Sequence, residues 1–209
     1  MPDTANDGPV APRGRGRPRD DGADARILSA AAGLMLERGV PEITVAEVAE
    51  RADVGKATVY RRFPSKADLA VRALESLFGA HIAVPDTGSL RTDLEQVYRD
   101  TIDFASSPRG SAFLRLAAGS AARSGTAAAA YRQAYEFRRD RFGVILDRAL
   151  ARGELVRDPD RALFLDALPA LLLFRTVTRQ PLPTVESVPD LVAGMLTTVV
   201  VQGVEADPG

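Results

Sequence analysis

Between residues 54 and 66 the chain carries Lys56, Arg61, Arg62 and Lys66 and no acidic residue, with Thr58 and Tyr60 set among them. Such groups donate hydrogen bonds and carry fixed positive charge. That chemistry suits phosphate oxygens and, for Lys and Arg, guanine O6 and N7 in a DNA major groove. The preceding segment holds Glu47, Glu50 and Asp53, so the positive charge is local, and with a formal net charge of −1 any contact with DNA must rest on this patch. A helical hairpin with a merely solvated basic face has the same charge pattern. Covalent chemistry is poorly provided for. There is no cysteine, which removes disulfides, thiol catalysis and Cys-ligated zinc or iron–sulfur sites, and one histidine, His81, cannot make a multi-histidine metal centre. No Gly-rich phosphate loop follows a strand and no G-x-S-x-G occurs. No catalytic residue, metal site or cofactor is therefore assigned, and paired carboxylates on helices keep an all-helical enzyme as an alternative. His81 is read as structural or solvated, with a ligand contact or a pH effect as the alternative.

The elements that position the basic residues are legible around them. Thr44 and Glu47 have the spacing of a capping box, and Val45, Val48, Ala49 and Ala52 then recur as one apolar stripe of a short helix. Asp53-Val54-Gly55 breaks it. A second short helix starts at Gly55 or Lys56 and is stopped by Pro64-Ser65-Lys66, with Ser65 able to cap the next helix. Val59 and Phe63 share a face and pack inward, which projects Lys56, Thr58, Tyr60 and Arg61 outward together. Two helices joined by a tight turn, the second basic, form a helix-turn-helix whose second helix can enter a major groove.

Thr44-Val45, Val48-Ala49, Ala52-x-Val54, Thr58-Val59-Tyr60, Phe63 and Ser65-Lys66-x-x-Leu69 resemble the DNA-binding domain of the tetracycline-repressor (TetR/AcrR) family over residues 25–77. Two positions depart from the pattern: Asp53 where the family commonly has Gly, and Arg62 where it commonly has His or Tyr. Asp tolerates left-handed backbone better than most residues, and Arg62 adds a phosphate-binding charge. By chemistry and by place in the motif, Thr44, Lys66 and Arg62 are expected on phosphates, Tyr60 on a phosphate or a thymine methyl, and Lys56, Thr58 and Arg61 on base edges. Gly55 and Ala57 complete the DNA-facing set.

Residues 1–22 are dominated by Pro, Gly, Asp, Ala and Arg and read as a disordered basic arm without the apolar core of a signal peptide. Within it Arg13, Arg15, Arg17 and Arg19 alternate with Gly14, Gly16 and Pro18, and Arg15-Gly16-Arg17-Pro18 resembles an AT-hook, a minor-groove arm. A solvated basic tail is the alternative, and Asp20, Asp21 and Asp24 would repel phosphates. The head, an HTH domain with its linking helix, is assigned to 23–83, with a first helix over about 24–38 ended by Gly39 and a linking helix over about 65–82. The break Val84-Pro85-Asp86-Thr87-Gly88 separates it from a body at 84–209.

The body reads as all helix, giving an all-α fold of about nine helices. Residues 106–110 read as a turn before the sixth helix. A long seventh helix covers about 126–152, and the eighth starts near Pro159 with Asp158 as cap. The eighth is apolar nearly all round and contains Pro169, so it is expected to be buried on most sides and kinked. The ninth, over about 187–204, has a continuous apolar stripe. Leu168, Leu172, Val188, Leu191, Val192, Met195, Leu196 and Val199 are assigned to a homodimer interface, with packing on the same chain as the alternative. The resemblance implies the same pairing of the last two helices. It also implies a small-molecule pocket in the body, for which Phe104, Phe113, Leu116, Tyr131, Tyr135, Phe142, Phe164 and Phe174 are the lining candidates; plain core is the alternative for each. Asp166, Arg175 and Arg179 need partners and are expected to pair at the interface or to face a ligand. The longest apolar run, 162–174, is too short to span a bilayer and contains Asp166 and Pro169, so a cytoplasmic protein with no membrane partner is expected.

The sequence thus reads as a dimeric DNA-binding transcriptional regulator acting on double-stranded DNA at a palindromic operator, a repressor released by an unknown small-molecule effector. A ligand-independent DNA-binding structural protein is the other non-enzymatic reading.

Overall fold

The computed structural model describes residues 22–121, 125–155 and 158–198. Among them there are nine α-helices and no strand. The head consists of α1 (Ala23–Arg38), α2 (Val45–Arg51) and α3 (Lys56–Arg62), followed by α4 (Lys66–Gly79). The body adds α5 (Leu90–Ser106), α6 (Pro108–Ala121), α7 (Thr126–Ala151), α8 (Arg161–Val177) and α9 (Val188–Thr198), with a 3₁₀ turn at Val185–Ser187 before α9.

The head forms as its local signals dictate. Thr44 caps α2: its hydroxyl accepts from the Glu47 N–H at 3.2 Å, and the Glu47 carboxylate accepts from the Thr44 N–H at 2.8 Å. Arg38 adds a 2.9 Å hydrogen bond to the same carboxylate and so ties α1 to the start of α2. At the other end of α2, Asp53 adopts φ 52°, the Asp53 N–H bonds the Glu50 carbonyl, and the Val54 N–H reaches back to Ala49. That is a Schellman ending with Asp in the position glycine usually takes, and it sets the sharp turn into α3. Ser65 caps α4 through the Asp68 N–H at 3.0 Å. Ile27, Met35, Ile43, Val48, Val59, Leu69 and Leu74 are all buried in the head core. Each such side chain contributes about 1.5–3 kcal/mol.

The helix α4 packs against α1 on one side and α7 on the other, so head and body share it. The loop between α4 and α5 is pinned rather than slack. The fully buried Asp93 carboxylate accepts from the Thr87 N–H (2.8 Å) and hydroxyl (2.7 Å), and Arg152 lies 3.9 Å from its other oxygen. Glu154 accepts from the Leu90 N–H at 2.6 Å, which closes the end of α7 over the start of α5.

Three local expectations change. Residues 106–110 do not form a separate turn: α6 starts at Pro108, with the Ser107 hydroxyl accepting from the Gly110 N–H at 3.1 Å. Gly110 permits this tight junction, because a Cβ there would lie 1.8 Å from the Phe104 carbonyl oxygen. The cap of α8 is Asp160, not Asp158, which instead pairs with Arg161 at 3.1 Å. The α8 helix, which runs on through Pro169, is not buried all round: Phe164, Leu168 and Leu172 face inward, while Leu163 (75% exposed), Phe174 and Val177 lie open. Proline cannot donate to the carbonyl four residues earlier, and that carbonyl, on Leu165, accepts instead from the Arg138 guanidinium at 3.2 Å.

The Arg38 hydrogen bond first, then the Thr44 hydroxyl and N–H, hold the Glu47 carboxyl at about 2 instead of its ordinary 4.5. A carboxylate lowered on folding contributes stability that is present above the unfolded value and lost as pH falls through the folded one. Urea midpoints should therefore fall between pH about 5 and 2 less steeply in Glu47→Gln than in the parent chain; equal slopes would remove Glu47 from the acid response. Asp53→Gly relieves a left-handed conformation that disfavours a side chain. It should raise the melting temperature, with a gain of up to about 1 kcal/mol, while Asp53→Val should lower it.

Candidate nucleic-acid interface and effector cavity

The helix α3 is held from beneath by Val59 and Phe63, both buried, and this fixes which side chains project. Lys56, Ala57, Tyr60 and Arg61 are exposed and Thr58 is half-buried; Tyr60 is 54% exposed, much for an aromatic ring. The side chains of Lys56, Tyr60 and Arg61 make no hydrogen bond or ion pair with other described residues, so their donors are available to an outside acceptor. Gly55 is the N-cap of α3 in extended conformation, and its missing side chain leaves the approach to the helix start open.

The expected phosphate contacts are less ready. Thr44 directs its hydroxyl proton to the Glu47 carboxylate at 2.8 Å. Lys66 does not reach outward: it donates to the Pro41 carbonyl at 2.7 Å and closes the head between α1 and α4. Arg62 pairs with Asp24 on α1. The structure thus gathers these three around the exposed row but commits each to an internal partner that a phosphate would have to displace or share. Arg13, Arg15, Arg17 and Arg19 lie outside the described residues.

The eight aromatic and apolar positions proposed for a pocket do not form one site. Phe104, Phe113 and Tyr135 line an interior cavity with Phe78, Thr101 and Arg138. Phe78 meets Phe113 edge-on at 4.9 Å, and His81 lies tilted against Phe104 at 4.9 Å while its Nδ1 lies 2.7 Å from the Leu77 carbonyl oxygen. Tyr131 packs behind Phe113. Phe142 is core, with the Arg138 guanidinium 5.1 Å from its ring centre. Leu116 faces a shallow cleft beside Gly39 and Pro41, Phe164 faces the α8–α9 groove, and Phe174 is exposed. The interior cavity measures about 30 Å³, room for about two waters. The sequence reading missed Phe78 and Arg138; the i, i+3 pair Tyr135–Arg138 on α7 and the carbonyl opened by Pro169 were the available signals.

The interface assignment also shifts. Leu168, Leu172, Val188, Val192 and Leu196 are buried within their own chain, where α8 packs on α6 and α9 on α5, so they have no surface for a partner. Val199 lies outside the described residues. Leu191 and Met195 do line an open groove between α8 and α9, of about 680 Å³, with Leu163, Ala167 and Ala170. Asp166 pairs with Arg139 at 3.8 Å, and Arg175 donates to the Pro181 carbonyl at 2.7 Å. Arg179 takes φ 56° to end α8. These three do not pair with one another. No described helix is long and apolar enough to cross a membrane, and no described cluster of His, Asp and Glu could hold a metal ion.

Known proteins share this arrangement. Residues 27–73 match the family described as bacterial regulatory proteins, tetR family, and residues 84–199 the tetracyclin repressor-like C-terminal domain. The HTH-type transcriptional regulator YdeS of Bacillus subtilis is 33% identical over 162 residues, covering 77% of this chain and 81% of its own. The regulator Rv1556 of Mycobacterium tuberculosis is 31% identical over 173 residues, covering 81% and 83%. Among solved structures, the TetR family transcription regulator SCO0332 superposes with a TM-score of 0.66 at 27% identity, covering 85% of this chain and 98% of its own. With a helix-turn-helix whose exposed row is open to DNA, an all-helical body and matches across both parts, the chain belongs to the TetR family of helix-turn-helix transcriptional regulators.

Proposed function

We propose that this regulator is a cytoplasmic homodimer that represses transcription from a palindromic operator and is released by a small-molecule effector. The observation that carries the DNA half is the row Lys56, Tyr60 and Arg61, backed by buried Val59 and Phe63 and bonded to nothing else described in the chain. Lys56, Thr58 and Arg61 take base edges, Tyr60 takes a phosphate or thymine methyl, and Thr44, Arg62 and Lys66 meet phosphates by exchanging their internal partners. The basic arm, residues 1–22, reaches the neighbouring minor groove. The head is 23–83 and the body 84–209.

One α3 reads only a few base pairs, so useful specificity needs two heads on one twofold axis, with half-sites about 34–36 Å apart or a multiple of that. The exposed Leu163, Phe174 and Val177 of α8 and the groove residues Leu191 and Met195 of α9 supply the apolar face for that pairing. Release requires only that the effector bind a dimer of different head spacing more tightly. Phe78 connects the two ends: it lines the interior cavity and belongs to α4, which also packs on α1.

A second reading, a DNA-binding protein without an effector, is favoured by the small size of the cavity, which its own aromatic rings nearly fill. Fluorescence anisotropy against duplexes from the protein's own upstream region, with competitor DNA, separates the outcomes. Tight, competitor-resistant binding that needs an inverted repeat supports the operator reading, and binding lost equally to any competitor sinks it. Lys56→Ala and Arg61→Ala should each cost about 1–3 kcal/mol on the operator and relax one position of the sequence preference. Tyr60→Phe, if the hydroxyl holds a phosphate, should weaken all sequences alike. In sedimentation velocity, the pair Leu163→Asp and Leu191→Asp should give a monomer that keeps its helical content and loses the palindrome requirement; an unchanged dimer would move the interface elsewhere.

A further inference from the structure

Arg138 sits on α7 with 5% of its surface exposed, and no described carboxylate lies within 4.0 Å of it: the neighbouring Asp166 pairs with Arg139 instead. Its one described hydrogen bond, to the Leu165 carbonyl, uses a single donor of a guanidinium that carries five. The Phe142 ring lies 5.1 Å below it. Burial pushes its pKa down, as expected for a cation taken out of water, yet an arginine side chain stays charged in proteins. Asp166 attracts this cation from beyond ion-pair distance and the Phe142 ring faces it, so the charge is only partly offset within the described chain; a buried cation with no contacting counter-ion is costly, and a bound anion would reduce that cost.

The rest of the site says what that something looks like. Arg138 lines the interior cavity, whose other walls include Phe78, Phe104, Phe113 and Tyr135, with Thr101 as the remaining polar side chain. The Thr101 hydroxyl is already donated to the Val97 carbonyl at 2.6 Å. Tyr135 lies one turn before Arg138 on α7, and its hydroxyl makes no described hydrogen bond. We infer that this cavity takes an apolar carboxylic acid, its carboxylate on Arg138 and its apolar body among the Phe78, Phe104 and Phe113 rings.

This rests on the effector-released reading and names the chemical class of the effector. The cavity of about 30 Å³ is far below what such an acid occupies, so it binds by parting the aromatic cluster. Two elements then feel it. Phe78 carries the displacement into α4 and the head. A carboxylate that recruits the Arg138 donors competes with the Leu165 carbonyl, the unpaired rung of α8 beside Pro169, and so reaches the helix that carries the dimer face.

The test uses the full-length protein at pH 7 and matched probes: benzoate, 2-naphthoate and decanoate against their neutral amides, with melting temperature as the binding readout and anisotropy of bound duplex as the release readout. The aromatic and acyl arms tell which body the cavity accepts. At least one acid should raise the melting temperature while its amide does not, and Arg138→Gln should weaken that acid about thirtyfold or more. Arg138→Lys, which keeps the charge, should recover part of the loss. Equal shifts from acids and amides, no shift from any acid, or a shift that survives Arg138→Gln would overturn the proposal. The acid–amide comparison needs no variant, so it decides the matter even if Arg138→Gln fails to fold. Acid binding without release of DNA would support the site and sink the effector-released reading; release by a neutral amide without acid binding would do the reverse.

Discussion

The helix α4 has to satisfy two cores at once, and most of the molecule is arranged around that requirement. Leu69, Ala70, Val71, Ala73, Leu74, Leu77 and Phe78 are buried along its length, which is too much apolar surface for one neighbour to cover. The head meets it with α1, and the body meets it with α7. A helix gripped on both sides by close-packed side chains cannot shift in one core without a response in the other. The short helices α2 and α3 have seven residues each and little stability of their own, so α3 points where α2, itself packed on α1, holds it.

The head was legible in the sequence because its instructions are local. The Thr44–Glu47 box, the Ser65 cap, the stop at Gly39 and the inward pair Val59 and Phe63 each need only a few neighbouring residues, and each forms as its spacing requires. Asp53 shows the limit of reading by resemblance. It replaces a glycine, yet takes the left-handed conformation the turn demands, because the two Schellman hydrogen bonds hold it there. What spacing could not show is the long-range pairing of charges: Arg62 with Asp24, Lys66 with the Pro41 carbonyl. Outward-facing basic residues look alike in a sequence whether or not a partner thirty residues away has claimed them.

The body was harder for a related reason. Its helices could be counted from periodicity, but an apolar stripe does not say which neighbour covers it. The stripe of α9 contains two functions: Val188, Val192 and Leu196 close the core of their own chain, while Leu191 and Met195, a fraction of a turn away, border the open groove. An assignment made from the stripe as a whole took both for one surface. The aromatic residues failed similarly, since Phe142, Phe164 and Phe174 are spread over core, groove and exterior, and only three of the eight proposed positions meet at the cavity.

Pro169 and Arg138 show how a defect in one element constrains another. Proline removes the donor that the Leu165 carbonyl expects, and an unpaired carbonyl in this setting costs about 1–3 kcal/mol. Repair of that carbonyl needs a donor on α7 but not an ion in an apolar interior. The choice of arginine therefore exceeds what repair of α8 requires. The excess is a charge on the cavity side, beside the ring of Phe78, where the helix shared by head and body ends. If α8 repair were the whole reason for Arg138, the position would tolerate a neutral donor with no change except in stability. Within the chain that charge is met by the Phe142 ring and, at longer range, by Asp166, and a carboxylate in the cavity would complete the compensation.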